Sequence, residues 1–199
     1  MNKATFILSF DCEGKWGMAD IIDDKINSSI TNQNLTTSYK SILTLLDKYQ
    51  IKGTFAFVAA LTMSTDEFKD KRDWFAKSNV MIDKNQKWLK NFFENAEGNN
   101  FDGWFHPNLL DLVINSHTRH EIATHGFTHL PLSENIIDQN CFKHEMDRVQ
   151  DIMTMKGLNA RTIIFPRNLI GYLNLLNDYN IVGYRDRLFN SRSIFLEKI

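Results

Sequence analysis

Short, wholly apolar runs alternate along this chain with longer stretches in which apolar residues recur every three or four positions. Runs suited to buried strands fall at 5–10, 53–58 (Gly-Thr-Phe-Ala-Phe-Val), 120–125 and 161–165 (Arg-Thr-Ile-Ile-Phe), with a weaker fifth at 181–184. Helical spacing marks 35–49 through Leu35, Tyr39, Ile42, Leu43, Leu46 and Tyr49. It marks 141–155 through Phe142, Met146, Val149, Ile152 and Met153, and 169–179 through Leu169, Tyr172, Leu173, Leu176 and Tyr179. Alternating strands and helices predict a parallel α/β architecture, and such folds build their sites at the carboxyl ends of the strands. The piece from 61 to 117 is too long for an ordinary connection. It interleaves Trp74, Trp88, Trp104, Phe75, Phe92, Phe93, Phe101 and Phe105 with Lys and Asn, which predicts a helical insertion over one face of the sheet, with a turn at Asn95–Gly103.

Composition narrows the picture without changing it. The 199 residues suit a single domain spanning 1–199, and 43% hydrophobic with 24% charged is an ordinary globular balance. A net charge of -1 gives no electrostatic case for nucleic acid or an anionic membrane. No apolar run approaches a membrane span or a signal-peptide core, so the expected location is the cytoplasm. Cys12 and Cys141 have neither metal-ligand spacing nor a disulfide framework.

Two motifs carry chemistry. Ser9-Phe10-Asp11-Cys12-Glu13-Gly14 puts two carboxylates at the end of the first run, and His125-Gly126-Phe127-Thr128-His129 puts two imidazoles at the end of the third. Carboxylate plus paired His is the donor set of an open zinc site that keeps a position for water. Strand alternation lets Asp11 and Glu13 share a side, one as ligand and the other as base; in the other arrangement Cys12 is a thiolate ligand. Arg167, after Phe165-Pro166, is placed to hold Asp11 by a bidentate pair, with Asn168 beside it. The aromatics of the insertion read most simply as core. Trp104 or Trp88 is the candidate for stacking on a sugar, and His106 for a supporting or proton-donating role.

These residues resemble the polysaccharide deacetylase family, the NodB-homology or carbohydrate esterase family 4 group, over about residues 4–186. Ser9-Phe10-Asp11 is similar to the start of its first motif, which makes Asp11 the general base. Cys12 stands where the usual metal-binding Asp would be, and variants with the ligand one residue later point to Glu13. His125 and His129 match the two metal ligands of the second motif, with Gly126 in place of Ser or Thr. Phe165-Pro166-Arg167-Asn168 looks like the Phe-Pro-Arg-Asn subgroup of surface-polysaccharide clusters, and the third motif's Arg orients the base. The resemblance implies a distorted (β/α) barrel and one divalent ion, zinc first, with cobalt, nickel or manganese as alternatives. It implies N-deacetylation of an amino sugar in a glycan precursor, with a backbone N–H after Gly14 helping to stabilise the oxyanion. The family's late Leu-x-His proton donor has no counterpart, since residues 187–199 contain no His. A non-catalytic metal- or sugar-binding module and an amidase on small cyclic or linear amides are therefore the alternatives. Five strands fall short of the family's seven or so, and an incomplete barrel predicts an open edge that an oligomeric partner would cover.

Overall fold

Alternation along each apolar run decides which way every strand faces. The structure, a computed structural model, describes residues 6–81 and 88–186, with 79–81 as backbone only. Ser9–Cys12 (β1), Thr54–Phe57 (β2), Glu121–Thr124 (β3), Thr162–Ile163 (β4) and Gly183–Tyr184 (β5) form one parallel sheet in sequence order. Asp11 pairs with Ala56, and Ala56 with Ala123, so small and polar side chains line one face; Cys12, Phe57 and Thr124 line the other.

Between the strands lie Asp24–Ser29 (α1), Asn32–Tyr49 (α2), Thr65–Asp70 (α3), Arg72–Met81 (α4), Lys90–Glu97 (α5), Asn108–Ile114 (α6) and Gln139–Met155 (α7). Parallel neighbours joined in sequence order by right-handed crossovers send their connections to the same side. The helices therefore cover the Cys12 face. α2 begins at the Thr31 cap, whose side chain accepts from Asn34 N–H, and ends where Gln50 turns left-handed (φ 52°). α7 begins at the Asp138 cap, which accepts from Cys141 N–H.

The 61–117 piece does form helices, and its aromatics are core. Trp16 sits fully buried among Phe75, Phe92, Trp104 and Phe105, with its indole N–H donating to Trp104 O at 2.7 Å. Each such ring removes enough apolar surface from water to contribute roughly 2–3 kcal/mol. Within the expected Asn95–Gly103 turn, α5 persists to Glu97 before the chain bends at Asn99 (φ 54°).

Two elements differ from their patterns. Pairing on β1 starts at Ser9, opposite Thr54, and not at 5; Phe6 and Ile7 lie before the start of β2 and are exposed, and 1–5 fall outside the described residues. The 169–179 stripe is not an α-helix: only Leu173–Tyr179 winds, as a 3₁₀ turn. Tyr172 is left-handed (φ 51°), its hydroxyl donates to Ile137 O and its N–H to Glu134, so this stripe is spent tying the segment to the loop before α7.

The sheet is strongly curled. Four spacings of a flat sheet would hold β1 and β5 about 19 Å apart, beyond the reach of an Arg–Asp pair. Yet Arg185, just past β5, makes a two-pronged contact with Asp11 of β1 at 2.7 and 2.8 Å. Along the concave face runs a trough of about 1040 Å³, lined in part by Ser9, Thr54, Glu121, Thr162 and Arg185. Among the described residues, no helix is long and apolar enough to cross a membrane.

Candidate metal centre

The carboxyl ends of β1 and β3 bring three donors to one point. His125 follows β3 directly, and its Nδ1–H donates to Ile164 O at 2.6 Å, which leaves the Nε2 lone pair facing inward. Gly126 (φ 80°) then turns the chain, and His129, itself left-handed (φ 62°), returns its ring to the same point. The two Nε2 atoms are 3.1 Å apart. Glu13 Oε2 lies 2.8 Å from His129 Nε2 and 3.4 Å from His125 Nε2.

Those separations suit a shared ion. Ligands about 2.0–2.2 Å from a metal lie about 2.9 Å apart at right angles and about 3.4 Å apart in a tetrahedron. The observed 2.8, 3.1 and 3.4 Å match or fall just short of that range. Glu13, His125 and His129 could thus hold a metal ion, with both imidazoles nearly sealed from solvent and the carboxylate partly open. Burial, the largest influence, would raise the Glu13 carboxyl, but the two imidazoles beside it overcome that and hold it at about 2. Burial foremost lowers His129 below the usual imidazole value, which favours the neutral, ligating form. Its Nδ1 is buried without a hydrogen-bond partner.

Packing aims these donors. A Cβ on Gly17 would lie 2.3–2.7 Å from the Glu13 carboxyl atoms, so only glycine leaves that carboxylate its place. On the other side Trp88 stacks on His129, ring centroids 6.1 Å apart, and Arg167 covers Trp88 at 5.3 Å. Trp88, read from the sequence as core with sugar stacking as the alternative, forms this wall. Its stacking depends on a fold contact that no local pattern signals.

Neither a family model, nor a curated protein, nor a solved structure matches the chain.

Asp11 stands beside the three donors and outside their cluster, 3.9 Å from His125 Nε2. The expected Arg167–Asp11 pair is not present. Arg167 and Asn168 both adopt left-handed backbone (φ 56° and 52°), and Arg167 turns to Asp20 Oδ1 (2.6 Å) and Gly17 O (3.2 Å). Arg185 takes the place beside Asp11 and donates as well to Ser9 Oγ and Asn168 Oδ1. Asn168 therefore enters the site as a neighbour of Arg185.

Cys12 faces the helices, 1% exposed, with burial foremost pushing its thiol far up, so it is no thiolate donor here. Trp104 is fully buried in the aromatic core and presents no face for a sugar. His106 is 9% exposed and its Nε2 is spent on Asn32 O and Thr36 Oγ1, a tie between α2 and the loop before α6. The backbone after Gly14 offers no oxyanion donor from Lys15 or Trp16: their N–H groups are bonded to Gly103 O and Glu13 O.

Proposed function

We propose that this chain is a metal-dependent hydrolase that removes the acetyl group from the nitrogen of an amino sugar in a glycan precursor. The observation that carries the hydrolytic part is a three-donor cluster with a separate carboxylate, Asp11, clamped beside it by Arg185. A divalent ion bound by Glu13, His125 and His129 supplies Lewis acidity toward an acyl oxygen and makes water a better nucleophile. The nitrogen and carboxylate donors suit zinc, with cobalt, nickel or manganese close behind.

Asp11 takes the proton of the attacking water, and the two-pronged Arg185 contact keeps its oxygens aimed. The C–N bond then breaks, and Asp11 returns that proton to the departing amine. No other imidazole is placed to donate it. His117 and His120 lie before β3, His144 is bonded to Trp74 O, and His106 is buried between helices. The resemblance to polysaccharide deacetylases supports the acetylated amino sugar as substrate, and the curled sheet in sequence order supports the wall of a NodB-type (β/α) barrel. The same lack of a third imidazole favours a competing reading, a metal-binding module without turnover.

Metal content of the purified chain, before and after His125→Ala, with acetate release from N-acetyl sugars, separates these. About one ion per chain, lost in the variant together with acetate release, supports the deacetylase. One ion without acetate favours the binding module, and an absence of metal refutes the centre.

A further inference from the structure

Glu145 on α7 is the one acidic side chain among the described residues that is fully buried, at 0% exposure. Its helix face otherwise packs Phe142, Met146, Val149 and Ile152, where a Leu or Met would fill the space without desolvating a charge. None of its hydrogen bonds comes from a cation. Oε2 accepts from Phe127 N–H at 3.2 Å and Thr128 N–H at 3.0 Å; Oε1 accepts from Thr128 Oγ1 at 3.0 Å and Ser78 Oγ at 3.3 Å.

The two backbone donors are consecutive and lie midway between His125 and His129. This bend is neither helix nor strand, so its N–H groups have no ladder to join. Its carbonyls are held from the opposite side, Gly126 O by Ala59 N–H and Phe127 O by Ala60 N–H. Glu145 supplies the other half of that clamp, and both imidazoles pivot from the clamped segment.

We infer that Glu145 is a positioning residue of the metal centre: through Phe127 and Thr128 it fixes the bend that brings His125 Nε2 and His129 Nε2 to 3.1 Å. This rests on the metal-centre reading above. Glu145→Ala leaves two buried N–H groups without acceptors and frees the bend. Glu145→Gln keeps the geometry, because its carbonyl accepts both N–H groups while its amide donates to the two hydroxyls.

The test is zinc affinity by chelator competition, the visible spectrum of the cobalt-loaded protein, and the melting temperature of the metal-free protein. Glu145→Ala is expected to weaken zinc binding about 10- to 100-fold and to alter the cobalt bands, the usual consequence of losing support behind ligands. Glu145→Gln is expected to bind within about threefold of wild type and to keep the cobalt spectrum. A folded Glu145→Ala that melts lower but keeps wild-type affinity and spectrum overturns the positioning role and leaves the metal centre standing. If Glu145→Ala does not fold, Glu145→Asp decides, since it keeps the charge but withdraws the carboxylate by one methylene. About tenfold weaker binding supports the role, and wild-type binding overturns it. A wild-type chain that binds neither zinc nor cobalt overturns the metal centre and this inference together.

Discussion

Replacing Gly17 by Ala should damage the metal centre without touching a ligand. The added Cβ would stand 2.3 Å from Glu13 Cδ, 2.4 Å from Oε1 and 2.7 Å from Oε2. Relief to an ordinary contact requires the carboxyl to move by about 1 Å, while productive metal–ligand distances tolerate only about 0.2 Å. Glu13 Oε2 has no slack toward His129, already 2.8 Å away, so the move takes it out of the cluster. Loss of one properly placed carboxylate by displacement resembles loss of its supporting contacts, about 10- to 100-fold in affinity, or about 1.4–2.7 kcal/mol. The backbone at Gly17 is not left-handed, so Ala fits it, and reduced freedom of the unfolded chain should hold or raise the melting temperature of the metal-free protein. Calorimetric zinc titration and thermal melts of wild type, Gly17→Ala and the remote control Gly98→Ala check this. Adding Gly17→Ala to Glu13→Ala should cause no further loss, because both act through the same carboxylate. Zinc affinity of Gly17→Ala within about twofold of wild type, with the fold intact, would sink the account of how Glu13 is placed.

Arg185→Ala should lower acetate release about 10²-fold or more while metal content stays near one ion per chain, because it disorients the base and leaves the ligands alone; Arg167→Ala, which frees Trp88, Asp20 and Gly17 O and does not touch Asp11, should cost clearly less. Glu145 links stability to pH. Burial, the largest influence, raises its carboxyl from 4.5 to about 7 in the folded chain, so the stability it contributes is full below 4.5 and lost as pH rises through 7. Buried histidines with lowered values, such as His129 and His144, pull the other way below pH 6.5. The gain of Glu145→Gln over wild type should therefore grow by about 3 kcal/mol between about pH 4.5 and 8, read from urea unfolding of the metal-free proteins; a flat difference would refute the sign. Trp104→Ala should cost about 3–5 kcal/mol of stability in the same assay, and a conservative Trp104→Phe should leave the KM for an N-acetyl sugar unchanged, since the ring is core.

Features that depend on neighbours along the chain were legible before any fold was known. Alternation separated Cys12 from Asp11 and Glu13, because successive strand side chains face opposite ways. A glycine between two His allowed a bend tight enough for both rings to meet. Apolar runs placed the strands, although on the first the paired stretch begins only at Ser9 among the described residues. Curvature and the approach of distant segments settled the rest, and neither leaves a local trace. Two arginines follow late strands, and nothing in their surroundings distinguishes them. Arg185 reaches Asp11 only because the sheet curls, and Arg167 misses it only because two left-handed residues turn it toward Asp20. Trp88 and Trp104 look alike in sequence, yet one lies against His129 and the other deep in the core. Glu145 sits on an ordinary helical stripe, and its meaning comes from a bend 17 residues earlier, whose orphaned N–H groups can be seen only once the chain is folded.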